Sequence, residues 1–383
     1  MEAHRILIDA RLSNYRRGMG SYVYHVMSEL HRINTEHHIS ILVPASELEK
    51  YVNQFPRFSI FPTKFNNIIL DEQITLPLLA KLHQFNIVHS PANTAPLLLP
   101  RFTKLVLTIH DVIYLLNDKS LPQPNNLYQQ FGKHYRRMTV PPAARKACVV
   151  LTDSVHSKQD ILHTIRLPES KVKVIYPAGN YSGTVPLLTE QEVETILALY
   201  GVRKPYILHL GAIDPRKNLQ RMIEAYATLP PAVHQQAPQL VVVGLPPEGQ
   251  IRAKELATSF DAQARIICLP FVAQHELQAL YQAAALFAYP SMYEGFGLPL
   301  LEAMVLGTPV ISSRVGSIPE VAGKAAILID PTSVEELREA LVRVLTDQSL
   351  REQLIEQGFV QSARFSWQRT AAEILDVYNS LTP

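Results

Sequence analysis

Short apolar runs alternate with segments of helical period along the whole chain, and this alternation limits the possible folds more than any other feature. Runs that are apolar throughout are typical of strands in a parallel sheet covered by helices on both faces. The predicted strands of the first half are Arg5–Asp9, Ile39–Val43, Ile87–His89, Lys104–Ile109, Cys148–Thr152 and Val172–Ile175. Those of the second half are Tyr206–Leu210, Leu240–Gly244, Arg265–Leu269, Ala285–Tyr289, Pro309–Ser312 and Ala326–Ile329. The sequence therefore predicts an α/β protein whose two halves resemble each other.

The length of 383 residues exceeds that of one ordinary hydrophobic core, so two domains are expected. Between the two halves lies Pro177–Pro186, whose Pro, Gly and Ser content predicts an interdomain linker. A helix over Thr189–Tyr200 is expected to lead into the second domain. Open α/β sheets bind ligands outside the carboxyl ends of their strands, so the functional residues are expected there.

Charge and cysteine content exclude several classes of protein. The 36 basic and 34 acidic residues give a net charge of +2 without a charged tail, so nucleic acid is not an expected partner. Cys148 and Cys268 lie in apolar runs and are expected to be buried, reduced thiols, which favours a reducing cytoplasm. We expect neither a signal peptide nor an apolar run of the roughly 20 residues that span a bilayer. The expected location is the cytoplasm, with or without peripheral attachment to the cytoplasmic face of the membrane.

The stretch Ser291–Gly307 predicts the main ligand site. It follows a predicted strand, and Pro299 and Gly307 occupy positions that favour the start and the end of a helix. Backbone N–H groups at that helix start, around Gly297 and Leu298, are suited to hold a phosphate, with help from the helix dipole. The stretch therefore predicts a strand, a phosphate-binding turn and a helix.

Two carboxylates flank this predicted phosphate-binding turn. Glu294 precedes the turn, and Glu302 is expected in the first helical turn. Carboxylates repel a bare phosphate but accept hydrogen bonds from hydroxyls, so the pair favours a ligand such as a nucleotide-sugar. For each residue alone, a bond to loop amides or an interaction with the helix dipole is an equal alternative.

The motif around these carboxylates resembles that of a known family. Glu294 and Glu302, separated by seven residues around Gly-Phe-Gly-Leu-Pro, are similar to the signature of the retaining GT-B glycosyltransferases of family 4. The resemblance covers nearly the whole chain. It implies two doubly wound, Rossmann-like domains facing each other across a cleft: an acceptor-binding domain over residues 1–182 and a nucleotide-sugar-binding domain over residues 183–364. It also implies that an amphipathic helix within residues 365–383 crosses back to the first domain.

The resemblance also implies roles for residues of the second domain. Glu294 would bind hydroxyls of the transferred sugar, Glu302 would bind the ribose, and the Gly297–Leu298 backbone would hold phosphate. Phe271 and Val272 lie where the family contacts the base.

A further part of the predicted site begins at Gly211. Asn218 is expected to cap a helix, which places Arg216 and Lys217 at its N-terminus, where cations oppose the helix dipole. A bound diphosphate reverses this cost through charge-assisted hydrogen bonds, so both are candidate catalytic residues; a solvated basic turn is the alternative. Many members of the resembled family carry an Arg directly after this glycine, where this chain has Ala212, and Arg216 is expected to replace it.

In the first half, Gly18 and Gly20 precede a predicted helix over Ser21–Arg32 and would allow the backbone to approach a ligand closely. A simple flexible turn is the alternative. His110 ends a predicted strand beside Asp111, and a structural histidine paired with that Asp or with a carbonyl is its alternative. The resemblance implies that the glycine loop lies against the donor sugar and the acceptor site. It also implies that His110 contacts sugar hydroxyls near the anomeric carbon.

A basic and aromatic cluster lies in the first half, with Lys133, Arg136, Arg137, Arg145 and Lys146 as its cations. A solvated helix face is the first interpretation. Attraction to anionic lipid, or to an acceptor that carries a lipid diphosphate, is the alternative.

Together the motifs and the resemblance predict a retaining hexosyltransferase. The expected donor is UDP-glucose, with GDP-mannose as the alternative, and the expected acceptor is a glycan or a polyprenyl-diphosphate-linked glycan of exopolysaccharide or cell-envelope synthesis. No metal is expected, because the segments at the strand ends lack an Asp-x-Asp motif and their cations can replace a divalent ion. The competing hypotheses are a glycoside hydrolase or phosphorylase, which would need two carboxylates across the scissile bond, and a non-catalytic nucleotide-sugar sensor.

Overall fold

The chain folds into two compact units, each built on one parallel sheet. The structure is a computed structural model that describes residues 3–15, 18–34, 36–116, 127–183, 186–211, 214–235, 238–260 and 265–381. Of the described residues, the first unit contains those up to Pro177 and those from Ser366 onward, and the second unit is Ala178–Phe365. The boundary between the units falls within Pro177–Pro186.

The sheet of the first unit has seven strands in the order β3-β2-β1-β4-β5-β6-β7. Its strands are β1 Arg5–Asp9, β2 His38–Val43, β3 Ser59–Pro62, β4 Ile87–Ser90, β5 Lys104–Thr108, β6 Val149–Thr152 and β7 Val172–Val174. All neighbouring pairs are parallel. Most residues of the central strands are buried, because helices cover both faces of such a sheet.

The sheet of the second unit has six parallel strands in the order β10-β9-β8-β11-β12-β13. Its strands are β8 Tyr206–Leu210, β9 Gln239–Val243, β10 Ile266–Leu269, β11 Leu286–Tyr289, β12 Val310–Ser313 and β13 Ala326–Ile329. The strand order reverses between β8 and β11, and ligand sites of doubly wound sheets lie at such switch points.

The helices follow the strands in chain order. In the first unit they are α1 Met19–Ile33, α2 Leu48–Gln54, α3 Ile68–Leu70, α4 Leu76–Leu82, α5 Leu127–Lys146 and α6 Val155–Ile165. Between α3 and α4 the chain forms a π-helical turn over Asp71–Thr75. The remaining helices are α7 Glu190–Leu199, α8 Leu219–Ala227, α9 Pro231–Gln235, α10 Pro247–Ser259, α11 Gln274–Gln282, α12 Leu298–Val305, α13 Ile318–Ala322, α14 Val334–Thr346, α15 Gln348–Ser362 and α16 Trp367–Ser380. No described helix is long and apolar enough to cross a bilayer.

Helix α16 returns to the first unit, as the resemblance implied. It begins at Trp367, and the side chain of the preceding Ser366 caps it by accepting a hydrogen bond from the Arg369 N–H. Its buried face packs against α1. The Tyr378 hydroxyl lies 2.7 Å from Nδ1 of buried His89 in β4, so the C-terminal helix completes the core of this unit.

The twelve predicted strands are confirmed with bounds that shift by one residue at most. The sequence missed β3, because this edge strand is at most half-buried and therefore lacks a continuous apolar run. The helix expected over Ser21–Arg32 is present as α1, and the one expected over Thr189–Tyr200 is present as α7, with a capping box between Thr189 and Glu192.

One expectation about the cysteines is wrong. Cys148 is exposed, because it precedes β6 instead of lying within it. Cys268 lies in β10 and is half-buried, and burial raises the pKa of its thiol. Neither cysteine forms a disulfide.

Candidate nucleotide-sugar site

The start of α12 has the geometry of the predicted phosphate-binding turn. Gly297 adopts a φ of 108°, a conformation that favours glycine, and the helix follows at Leu298 with Pro299 in its first turn. No side chain caps this helix start. The helix ends at Val305, and Gly307 follows with a φ of 74°. Because no side chain covers this helix start, its dipole and the Leu298 N–H favour an anion at this position.

Lys217 and Glu294 form an ion pair at the carboxyl ends of adjacent strands. Lys217 follows β8 and Glu294 follows β11; Lys217 Nζ lies 2.7 Å from Glu294 Oε1. Burial alone would raise the pKa of Glu294, but Lys217 outweighs burial and holds it below its usual range. Burial would lower the pKa of Lys217, but Glu294 and Tyr289 outweigh that effect and raise it. Both groups are therefore charged at neutral pH.

Tyr289, the last residue of β11, is the third member of this cluster, and the sequence did not single it out. Lys217 donates a hydrogen bond to its hydroxyl, and the ammonium lies 4.7 Å from the centre of its ring. The hydroxyl also hydrogen bonds Glu294. Buried Tyr289 thus fixes both charged groups in position. A tyrosine at the end of an apolar strand is the signal that sequence reasoning had available.

Glu302 lies beside the same helix start but in a different electrostatic environment. It is in the second turn of α12, so its expected place in the first turn is wrong by one position. Its carboxylate accepts a hydrogen bond of 2.5 Å from Asn180 Nδ2 and a longer one of 3.4 Å from the Tyr281 hydroxyl. Burial raises the pKa of Glu302 to about 7, because these two polar contacts only partly replace water. Glu302 is therefore only partly ionised at neutral pH.

Arg216 lies next to the Lys217 cluster, in a short 3₁₀ turn ahead of α8. Its guanidinium pairs with Asp214, with Nε 2.8 Å from Oδ2. The Met292 N–H donates to the Arg216 carbonyl oxygen at 2.8 Å, which joins this turn to the loop after β11. Ala212, where the resemblance implied an Arg, lies outside the described residues.

Asn218 does not cap α8 as expected. It has a left-handed φ of 61°, and its side chain makes no capping bond. Its Nδ2 donates instead to the carbonyl oxygens of Pro290 and Pro331. Asn218 therefore holds together three loops at the carboxyl edge of the second sheet.

The predicted base-binding residues lie near Gly211. A Cβ at Gly244, after β9, would lie 3.1 Å from the Gly211 carbonyl oxygen and 3.3 Å from the Phe271 ring. A Cβ at Gly211 would collide with Val242 at 2.6 Å. Phe271 is exposed and Val272 is half-buried, so both offer apolar surface at this edge of the sheet.

In the first unit, the loop before α1 has a conformation and a packing that require glycine. Gly18 has a φ of 47° and precedes α1. A Cβ at Gly20 would lie 1.9 Å from the Tyr15 carbonyl oxygen, so only glycine fits there. The conformation of this loop therefore depends on both glycines.

His110 is buried and donates from both ring nitrogens. Nδ1 lies 2.6 Å from Asp153 Oδ2, and Nε2 lies 2.9 Å from the Pro91 carbonyl oxygen. Neither a carbonyl nor a carboxylate donates a hydrogen bond, so both nitrogens carry a proton. Burial alone would lower the pKa of His110, but Asp153 and the Pro91 carbonyl outweigh burial and raise it. Both ring nitrogens of His110 are therefore engaged by partners within the first unit, and neither is free to act as a base.

A buried network around Arg11 was not foreseen from the sequence. Arg11 Nη2 lies 2.7 Å from Asp9 Oδ2 at the end of β1 and 3.7 Å from Glu72 in the π-helical turn. Glu72 also accepts hydrogen bonds from Thr94, at 2.5 Å, and from Tyr135 in α5, at 2.6 Å. This network anchors the loop that carries the two glycines to neighbouring elements of its own unit.

The basic cluster of the first half lies along α5 and at its end. Arg137 donates to the Tyr114 carbonyl oxygen at 2.6 Å, and the Arg136 guanidinium lies 5.3 Å from the centre of the Tyr114 ring. Lys146 donates to the Leu97 carbonyl oxygen at 2.8 Å. Part of the cluster therefore supports neighbouring loops.

Comparisons with known proteins identify the family of this chain. Residues 16–179 match the model of Glycosyltransferase Family 4, and residues 200–361 match the model of Glycosyl transferases group 1. The serotype-specific mannosyltransferase WbdA of Escherichia coli is 32% identical over 296 residues, which cover 77% of this chain but 35% of WbdA. The O-antigen chain mannosyltransferase B of Escherichia coli is 30% identical, with 77% of this chain and 74% of that protein covered.

A solved structure shows the same fold. HepE from Anabaena, determined in complex with UDP and glucose, matches with a TM-score of 0.73 at 19% identity, over 99% of this chain and all of that one. Two Rossmann-like units with α16 returned to the first are thus the GT-B fold. The chain belongs to glycosyltransferase family 4, the group 1 glycosyl transferases. It spans about a third of the length of WbdA.

Proposed function

We propose that this protein is a retaining hexosyltransferase that transfers mannose from GDP-mannose to a glycan acceptor of exopolysaccharide or cell-envelope synthesis. The observation that carries the proposal is the ion pair of Lys217 and Glu294 in the same unit as the uncapped start of α12. A cation and an uncapped helix start suit a diphosphate, and an ionised carboxylate suits sugar hydroxyls. The choice of mannose is supported by the names of the relatives at 30% and 32% identity.

The proposed chemistry breaks the bond between the anomeric carbon and the leaving phosphate, so negative charge grows on the diphosphate. Groups aimed at that charge in advance lower the barrier most effectively. Lys217 is held in place by Tyr289 and Glu294, and Arg216 lies beside it in the sequence. We assign these two cations and the backbone at Gly297–Leu298 to the diphosphate. Because they supply the positive charge, we propose that no metal is needed.

Glu294 and Glu302 take different parts of the donor in this proposal. Glu294 is ionised and accepts hydroxyls of the transferred sugar. Glu302 accepts the ribose hydroxyls, and Phe271 and Val272 contact the base. A nucleotide at this place would compete with Asn180 for the Glu302 carboxylate.

The first unit is proposed to bind the acceptor, with the loop of Gly18 and Gly20 beside the sugars. Both ring nitrogens of His110 already donate, to Asp153 and to the Pro91 carbonyl oxygen, so His110 does not remove a proton. In this proposal it contacts a sugar hydroxyl by exchanging its bond to Pro91. We propose that the leaving phosphate accepts the acceptor's proton on the face where the bond forms. The anomeric configuration is then retained. The resembled family supports retention.

UDP-glucose, the donor expected from the sequence, is the competing candidate. A polyprenyl-diphosphate-linked acceptor and a cytoplasmic location belong to the proposal as well. The two unpaired cysteines fit a reducing compartment.

The test is a thermal-shift screen with GDP-mannose, UDP-glucose, GDP and UDP, followed by nucleotide-release assays with glycan acceptors. A ligand at 100 times its dissociation constant stabilises the folded state by about 2.7 kcal/mol. GDP-mannose is expected to give the larger shift, and magnesium chelation is expected to leave turnover unchanged. Stronger stabilisation by UDP-glucose than by GDP-mannose would make UDP-glucose the donor. Release of sugar that needs no nucleotide would favour a glycoside hydrolase. Nucleotide-sugar binding without turnover by any acceptor would favour a sensor.

A further inference from the structure

Two serines at the end of β12 are bonded to the main chain where β11 leaves the sheet. Ser312 and Ser313 are fully buried. The Ser312 hydroxyl donates to the Tyr289 carbonyl oxygen at 2.7 Å, and the Ser313 hydroxyl donates to the Ser291 carbonyl oxygen at 2.5 Å. A carbonyl oxygen only accepts, so each hydroxyl uses its single proton in this bond. Together the two bonds fix the first part of the stretch that leads from β11 to α12.

A third buried serine, Ser317 in the loop after β12, is bonded to the turn before α12. Its Oγ lies 2.8 Å from the Phe296 carbonyl oxygen and 3.0 Å from the Glu294 carbonyl oxygen. The Ser317 N–H also donates to the Glu294 carbonyl oxygen, at 3.4 Å, which leaves the hydroxyl proton for Phe296. A Cβ at neighbouring Gly316 would lie 3.0 Å from the same Glu294 oxygen. The two loops are therefore in main-chain contact at Glu294.

The helix that Ser317 precedes does not account for its hydroxyl. Ser317 stands directly before α13, at a place where a serine commonly caps the helix. Its side chain makes no capping bond there. Helix α13 therefore does not depend on the hydroxyl, and the bonds of the hydroxyl go to the turn before α12.

The bond to Phe296 sets the direction of the next N–H group. A peptide group is planar and trans, so its carbonyl and its N–H point in opposite directions. Because the Phe296 carbonyl is turned toward Ser317, the Gly297 N–H points away from Ser317. Glycine accepts positive and negative φ about equally well, so backbone preference alone would not hold Gly297 at its φ of 108°. The Ser317 hydroxyl therefore selects one of two orientations of this peptide.

We propose that Ser317 is a positioning residue of the donor site, because its hydroxyl holds the Phe296–Gly297 peptide with the Gly297 N–H toward the diphosphate. The inference rests on the proposed function, in which the Gly297–Leu298 backbone binds that diphosphate. Ser317 acts through the Phe296 carbonyl and not by contact with the donor. An N–H that is already oriented needs no rearrangement as negative charge grows on the leaving group. Loss of the hydroxyl should therefore weaken binding of the diphosphate and leave binding of the nucleoside unchanged.

The experiment is isothermal titration calorimetry of the full chain with GDP and guanosine, and with UDP and uridine. The test variant is Ser317→Ala, and Ser317→Cys repeats the test with a side chain of similar shape that is a much weaker donor. The matched control is Thr308→Val. It removes another buried hydroxyl of the second unit, ahead of β12, that donates to the Tyr281 carbonyl oxygen at 2.7 Å. Thermal unfolding checks that the variants fold, and nucleotide release from the donor measures turnover.

Both Ser317 variants should bind the nucleoside diphosphate about five- to tenfold more weakly than the wild type. Their affinity for the nucleoside should be unchanged, their turnover should fall at least as far, and Thr308→Val should behave like the wild type. Equal weakening of nucleoside and diphosphate binding, or unchanged diphosphate binding in Ser317→Ala, would overturn the inference and leave the proposed function standing. A wild type that binds neither GDP nor UDP would refute the proposed function, and the inference with it.

Discussion

Replacing Lys217 by methionine separates its proposed catalytic role from its structural role. Methionine keeps most of the apolar stem and removes the ammonium that lies 2.7 Å from Glu294. Glu294 would then be a buried carboxylate without its cation. The matched double variant, Lys217→Met/Glu294→Gln, removes both charges and leaves no uncompensated group.

The expected magnitudes follow from the geometry of the pair. At 2.7 Å and an effective dielectric constant of about 20, the gross attraction is about 6 kcal/mol. Removing one partner of a buried pair costs about 3 to 5 kcal/mol. The side chains are 22% and 14% exposed, so the lower end of about 3 kcal/mol applies. For catalysis, loss of one group that stabilises the leaving charge should lower turnover by about 10² to 10³.

Two measurements test this reasoning. Denaturant unfolding should show that the single variant loses about 3 kcal/mol and that the double variant recovers most of it. The stabilisation by the pair is complete above the ordinary pKa of glutamate and should vanish as pH falls through the lowered pKa of Glu294. Turnover should stay low in both variants. A double variant with wild-type turnover would show that Lys217 acts through stability alone.

Three other substitutions give separate checks. Glu302→Gln should stabilise the protein relative to wild type by an amount that grows as pH rises from about 4.5 to about 7, because burial raises the pKa of the Glu302 carboxyl across that range. The full gain in the free energy of unfolding is roughly 3 kcal/mol. A difference between the two proteins that does not depend on pH would refute this prediction. Tyr289→Phe should lower turnover about tenfold to a hundredfold. The control is Tyr226→Phe, which removes a hydroxyl bonded to a carbonyl oxygen outside the site and should affect stability alone. Equal turnover in the two variants would argue against a positioning role for Tyr289. Gly20→Ala should abolish most activity, because the added Cβ collides with the backbone. The control, Gly132→Ala in α5, should be neutral or stabilising by about 1 kcal/mol in thermal unfolding. An active Gly20→Ala enzyme would contradict the packing argument.

The strands were predictable because buried parallel strands are apolar throughout, and this pattern needs no knowledge of their neighbours. The turn and helix at Gly297–Gly307 were predictable for a related reason, since Gly297, Pro299 and Gly307 act through local backbone preferences. The sequence missed β3 and misassigned Asn218 because both depend on the surroundings. Asn218 looks like a cap in the sequence, but contacts with Pro290 and Pro331 hold it in a left-handed conformation.

Contacts between side chains that are distant in the sequence could not be predicted from the sequence. The partner considered for His110 was adjacent Asp111, whereas the structure pairs it with Asp153, which the β5 and β6 strands bring to the same edge of the sheet. The carbonyl alternative agrees with the bond to Pro91. Arg11 and Glu72 are 61 positions apart in the sequence, and their side chains lie 3.7 Å apart in the folded unit, with Glu72 in the π-helical turn.

The return of α16 to the first unit sets an order on biosynthesis. During translation, β4 leaves the ribosome early, but the tyrosine that pairs with His89 is made only after all of Ala178–Phe365. Until then the nascent first unit lacks the helix that covers α1 and keeps apolar surface in water. During that interval the buried imidazole of His89 lacks the hydroxyl that it contacts in the finished protein.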